Sequence, residues 1–273
     1  MRSDRRLALA AAFAAGLTTA AHAAPAGPAA PAAPLHFTQT VEGVDLSGVW
    51  IIAQRVGAGT RAPIDQRILR DAEGQPVPTQ PWAQKLYDDH VEGERQGHTF
   101  VTPSTLCLPH GMPEMMTGAA YPIEIIQKPG QVAFIHELQR TFRLVYLDRD
   151  HKPDPDPNYY GDSVGRWEGD TLVIDTIGLN GRNVLDMLGM PTSDKMHVVE
   201  RIRRPTHDKL DIELTIDDPG AFTRTWKEHV TYNLQPRNIE ILEYICEEGN
   251  RNLVVDGKVT IYGQPRGGPA PKP

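Results

Sequence analysis

The stretch KLDIELTID, residues 209–217, alternates without a break. Leu210, Ile212, Leu214 and Ile216 fall on one side, and Asp211, Glu213, Thr215 and Asp217 on the other. Successive side chains of a strand point to opposite faces, so this segment reads as a strand with one buried and one wet face. That is the pattern of an antiparallel sheet; strands of an all-parallel sheet are apolar on both sides.

Working outward, the same reading extends to KMHVVERIRR (195–204), TRTWKEHVTY (223–232), IEILEYICEE (239–248) and NLVVDGKVTIYG (252–263). Upstream it extends to VDLSGVWII (44–52), QVAFIHELQ (131–139) and RTFRLVYLD (140–148). VGRW (164–167) and TLVIDT (171–176) read as a hairpin turning at Glu168-Gly169-Asp170. DRDHKPDPDPN (148–158) is too rich in proline and aspartate for a strand interior. TQPWAQKLYDDHVEGERQG (79–97) reads as a helix, with Thr79 as its cap, Pro81 in its first turn, and Trp82, Leu86 and His90 on one face. CLPHGMPEMM (107–116) is turn-rich. About ten short strands with turns between them point to an antiparallel sandwich or barrel.

The first 23 of the 273 residues read as an export signal. They have a basic start (Arg2, Arg5, Arg6), an apolar run from Leu7 to Leu17 and an A-x-A site ending at Ala23. The run is too short for a membrane-spanning helix. Arg5-Arg6 hints at twin-arginine export, but ordinary secretion fits the following residues better. Cleavage near Ala23 takes the formal charge from -7 to -9 by removing Arg2, Asp4, Arg5 and Arg6. An acidic chain is a poor polyanion binder, which argues against nucleic acid. No second segment approaches transmembrane length. The expected product is periplasmic or secreted, with a Pro/Ala-rich linker at 24–41, a β domain at 42–264 and a flexible tail at 265–273. Two cysteines, Cys107 and Cys246, in an oxidising compartment most simply form one disulfide. Closing so long a loop contributes roughly 4–5 kcal/mol on the chain-entropy model. Two unrelated buried thiols are the alternative.

Gly161-Asp162-Ser163-Val164-Gly165 matches the G-x-S-x-G string of a nucleophile elbow. An elbow needs a strand before the serine and a helix after it. Here a loop precedes and a hairpin follows, so Ser163 reads as a turn residue bonded to local backbone. There is no H-x-H, H-E-x-x-H or C-x-x-C. No metal or other cofactor is expected, although a site assembled from separate strands stays open.

Chemistry points instead to ionisable residues inside apolar strands. His136 shares a face with Phe134 and Leu138, and Glu137 shares the other with Ile135. Asp175 lies with Val173 and Ile177, His197 with Val199 and Arg201, and Glu200 with Val198 and Ile202. Burying such groups is costly unless they are paired. His136, Glu137, Asp175, His197 and Glu200 are therefore the acid–base candidates. Arg143, Arg201, Trp226 and Tyr121 are the candidate ligand contacts. Structural ion pairs and ordinary core packing are the plainer roles for the same residues.

Gly48-Val49-Trp50 resembles the G-x-W of lipocalins, in which the tryptophan plugs one end of a barrel, often under an arginine from a late strand. That resemblance implies an all-β, antiparallel lipocalin-like (calycin-like) barrel with one or two short helices. Arg237 or Arg251 would serve as the arginine. CLPHGMP, YPIEIIQKPG, GDSVGRWEGDTLVIDT, SDKMHVVERIRR, DDPGAFTRTW and EYICEEGNRN together resemble a large family of exported bacterial proteins of unassigned function. This resemblance implies kinship and no activity. The expectation is a periplasmic barrel that binds a small hydrophobic or aromatic molecule. The alternatives are a metal-free acid–base enzyme (isomerase, hydratase, lyase or hydrolase) and a structural envelope protein.

Overall fold

Nine strands, each apolar on one face, close on themselves in the computed structural model. They are β1 (Gly48–Ile52), β2 (Ile123–Lys128), β3 (Gln131–His136), β4 (Thr141–Tyr146), β5 (Asp162–Glu168), β6 (Thr171–Ile177), β7 (His197–Thr206), β8 (Lys209–Asp217) and β9 (Trp226–Leu234). The order around the barrel follows the chain, and β9 returns to β1 through Trp50↔Leu234 and Ile52↔Tyr232. Closure leaves the sheet without an edge. The residues described are 43–53, 63–98, 100–118, 121–147 and 149–246, together with the short hairpin of β10 (Leu253–Val255) and β11 (Lys258–Thr260). The expected signal (1–23), linker (24–41) and tail (265–273) lie outside them.

The alternation in 209–217 does what it promised. Leu210, Ile212, Leu214 and Ile216 are fully buried inside the barrel, register with β7 and β9, and join Trp50, Ile123, Ile125, Phe134, Ile174, Val198, Ile202 and Tyr232 in one core. All neighbouring strands run antiparallel except β4 and β5, which are parallel through Val145↔Ser163 and Tyr146↔Val164. A parallel pair needs a long crossover. The Pro/Asp stretch within 147–161 supplies it, and its prolines cannot donate to a ladder on the way.

Other expectations are corrected. The helix α2 (Pro81–Arg95) buries Ala83, Tyr87 and Val91, whereas Trp82 and Leu86 are exposed. The phase is set by Tyr87, whose hydroxyl donates to Asp186 at 2.5 Å and accepts from the Leu69 amide at 3.0 Å. Thr79 does not cap: Gln80 holds that position, and the Thr79 hydroxyl bonds the Gln84 side chain instead. Besides α2 there are two single-turn helices, α1 (Ile64–Arg67) and α3 (Glu114–Thr117). Residues 239–246 form no strand, because β1–β9 closure leaves nowhere to pair. They make a strap, bound where the Leu242 amide donates to Glu137 at 2.9 Å. The cysteines do pair, Cys107 with Cys246.

Trp50 is fully buried near one end of the barrel, its indole N–H bonded to the Leu46 carbonyl at 2.9 Å. The arginine above it is Arg204 of β7, 5.1 Å from the ring centroid. Arg237 is exposed and Arg251 lies outside the described residues. Arg204 is steered there by its bonds to the carbonyls of Asp45 and His207.

Candidate functional site

The other end of the barrel, where β3 and β6 finish and β4, β5 and β7 begin, holds a sealed polar centre. Arg143 faces inward between Phe134 and Val145 and is 2 % exposed. Its guanidinium donates to Glu200 at 2.5 Å, to the Thr176 hydroxyl at 2.8 Å and to the Ser163 hydroxyl at 3.0 Å. Ser163 and Thr176 are 3.0 Å apart. Period-two alternation places all of them: Thr176 follows Leu172 and Ile174 on the inner face, and Glu200 lies between Val198 and Ile202. Glu228 of β9 faces the same interior, across Leu214 from Glu200. Trp226 is buried beside it, edge-on to Phe222 at 5.4 Å.

His136 lies in the same interior, 1 % exposed. Burial first, and the charge of Arg143 second, push its imidazole down to about 3, so it is neutral at pH 7. The sign of its pH effect follows. The unfolded histidine takes a proton near pH 6.5, whereas the folded one does not until about 3. Stability therefore falls as pH drops through that window. We expect His136→Leu to flatten the slope of unfolding free energy against pH between neutral and about 4, read from urea denaturation at stepped pH.

A plug closes this end. Residues 107–118 carry His110 and Glu114, which bond each other and are both buried. The Tyr232 hydroxyl donates to the Met116 carbonyl at 2.9 Å. Gly111, at φ +71°, allows the approach: a Cβ there would stand 2.4 Å from the Tyr159 carbonyl. Tyr160 stacks at 6.2 Å from His136 and donates its hydroxyl to Thr141 at 2.5 Å. Burial above all pushes its phenol up to about 12. Cys107, Gln139 and Arg140, where the plug meets the β3–β4 turn, have left-handed backbones (φ 53°, 60° and 48°). Such positions collect at ligand sites.

The expected cluster is split by the barrel wall. His136, Arg143 and Glu200 are inside. Asp175 and His197 are on the outer face, Arg201 is exposed and bonded to Glu168 at 2.9 Å, and Glu137 holds the strap. Tyr121 is 38 % exposed and packs edge-on to Tyr244, away from the interior. Ser163 sits on a strand, not an elbow, and bonds Arg143 rather than local backbone. TLVIDT is apolar on both faces, so the sequence favoured Asp175 there and did not single out Thr176, Glu114 or Tyr160.

On the outer face Asp175 accepts from His197 at 2.8 Å and His151 at 2.9 Å. His151, from the crossover loop, contacts Asp162 with its other ring nitrogen at 3.0 Å. Asp162 also accepts from Arg149 and the Lys152 amide. Its partial burial opposes charge, yet these donors outweigh that and hold its carboxyl well below the usual range. This row latches the loop to the wall. Asp162→Asn is expected to speed amide exchange across 149–158 about tenfold or more while leaving β6–β9 protected, because charge-assisted bonds are worth about 1.5–3 kcal/mol. Hydrogen-exchange mass spectrometry reads both. Among the described residues, no group of three or more His, Cys, Asp or Glu side chains is arranged to hold a metal ion.

Among the described residues, concavities outside the barrel include a groove and a smaller pocket. A groove of about 850 Å³ opens at the Trp50 end, where Arg204 is already committed to backbone carbonyls. A pocket of about 370 Å³ lies between α2 and residues 181–192. The interior centre gathers several buried polar atoms with no protein partner: Arg143 Nη1, Glu200 Oε1, both ring nitrogens of His136 and the Trp226 indole N–H, against Asn183 Oδ1 in the smaller pocket. No helix among the described residues is long and apolar enough to cross a membrane. No protein-family model and no curated protein matches the chain.

Proposed function

We propose that this chain is an exported ligand-binding barrel that takes a small apolar or aromatic molecule at the Arg143–Glu200 end. The observation that carries the reading is the set of unpartnered atoms on Arg143, Glu200 and His136. A buried polar atom without a partner costs about 1–3 kcal/mol, and native interiors satisfy nearly all of theirs. Phe134, Ile174, Val198 and Trp226 surround the centre with apolar surface, the usual composition of a small-molecule site. The disulfide suits an oxidising compartment, in line with the export signal. The motif resemblance supports the same kinship, since its segments supply the plug, β6, β7 and the strap.

Titration with phenol and with toluene tests the reading. Binding to the folded state alone raises stability by about 2.7 kcal/mol at about 100 times Kd. A saturable rise in the denaturation midpoint with one guest per chain is the expected result. If neither aromatic shifts the midpoint, the barrel is filled by its own side chains and the structural reading takes its place.

A second reading, a metal-free acid–base enzyme on the same barrel, is favoured by one feature. His136 keeps both ring nitrogens free of protein partners, so a lone pair is open to a guest, but an imidazole pushed down to about 3 is a weak base at pH 7, which ranks this reading second. Loss of turnover with retained guest binding in His136→Leu is its signature. Asp175 and His197, on the outer face, are not part of that centre.

A further inference from the structure

The geometry points to a guest with an uncharged polar head that both donates and accepts a hydrogen bond, such as a primary carboxamide, and to rejection of anions and cations. This inference rests on the ligand-binding reading above and adds the chemistry of the head group.

Arg143 and Glu200 are a buried ion pair, their side chains 1 % and 0 % exposed, and their charges cancel. What they leave over is complementary. Nη1 of Arg143 has hydrogens to give, and Oε1 of Glu200 has lone pairs to receive. Neutral His136 adds one of each, whichever tautomer it takes. A head with one acceptor and one donor satisfies an orphan of each kind and brings no charge.

A carboxylate satisfies only the donors. It also adds a further negative charge to an interior that already holds Glu200 and Glu228, with Arg143 committed to Glu200, which is the uncompensated burial that costs most. An ammonium repeats the problem beside Arg143. A head-less hydrocarbon gains the apolar contacts but leaves every orphan unpaired. Sites built to hydrogen-bond a polar group reject analogues that lack it, for this reason.

Four probes of nearly equal size separate these cases by calorimetric titration at pH 7: benzamide, toluene, benzoate and benzylammonium. Benzamide is expected to bind at least tenfold more tightly than the other three. The Arg143→Met/Glu200→Leu double variant is expected to lose that preference and to bind toluene at least as well as benzamide. Benzoate or benzylammonium binding as tightly as benzamide overturns the inference. Equal binding of toluene and benzamide by the native chain also overturns it while leaving the ligand-binding reading in place. If none of the four binds, the ligand-binding reading falls and takes this inference with it. The native ranking needs no variant, so a double variant that fails to fold leaves the test intact.

Discussion

Replacing Arg143 by methionine is expected to cost about 3–5 kcal/mol of folding stability, among the largest effects of any single change in this barrel. The apolar volume lost is small, so packing is not the cause. Glu200, fully buried inside the core, is left without its counter-charge. Ser163 and Thr176 keep each other at 3.0 Å but lose the guanidinium that both receive bonds from. Replacing both partners, Arg143→Met with Glu200→Leu, removes the charge together with its partner. That variant is expected to recover most of the loss and to match or exceed the native chain, since apolar substitutes for a buried pair are often neutral or stabilising by about 1–4 kcal/mol. Guanidinium denaturation of the two single variants and the double variant closes the cycle. Additive losses, with the double variant worse than either single one, would show that the two side chains act independently and sink the account.

The recovery matters for function as well as for stability. If the barrel stands equally well without the pair, the pair is not what holds it up. A charged centre in a core built mainly from aliphatic and aromatic side chains then has its use in what it contacts. That is why stability and guest binding need to be read on the same double variant. A stable barrel that has lost head-group selectivity separates the two roles.

Most of the barrel was legible because its signal is local. The alternation in 209–217 specifies which side chains face in; one apolar face per strand left a sandwich or a barrel, and the G-x-W resemblance implied the closure that the nine strands show. The same alternation showed that one of His136 and Glu137, and one of the His197 and Glu200 faces, must be inside; the structure puts His136, Arg143 and Glu200 there. What it cannot carry is the wall itself. Asp175 and His197 lie on the same strands as Thr176 and Glu200, Arg143's partners, yet they point outward, and period two read one strand at a time does not say which faces of separate strands are shared. The strand read into 239–248 failed for a similar reason. Its residues are suitable for a strand, but the ring closes without them, and only the paired register of β1 with β9 reveals that. The Pro/Asp stretch at 148–158 was recognised as a loop. That it turns β4 and β5 parallel, and delivers His151 to Asp162 and Asp175, depends on contacts distant in sequence.

Removing the disulfide, by Cys107→Ser with Cys246→Ser, is expected to cost about 4–5 kcal/mol. The bond joins residues 139 apart in sequence, so its reduced counterpart in the unfolded chain gains the closure entropy of most of the barrel. The loss should also have a local face. Cys107 begins the plug and Cys246 ends the strap, and the bond is the covalent link between them. Without it the strap keeps the Leu242–Glu137 bond and the Tyr244–Tyr121 contact, while the plug keeps Gln139 and Asn183 as anchors. Those contacts, and the solvent-exposed Arg140–Glu243 pair at 3.4 Å, are weak beside a covalent tie. Amide exchange in 107–118 and 239–246 should therefore rise by more than the global loss explains, with β7–β9 following the global change alone. A plug that loosens in this way opens the end of the barrel where His136, Arg143 and Glu200 lie. Guest association should then speed up as the overall fold weakens, and stopped-flow binding reads that directly. An unchanged denaturation midpoint in the double serine variant would mean that plug and strap are held by their own contacts and that the bond constrains little.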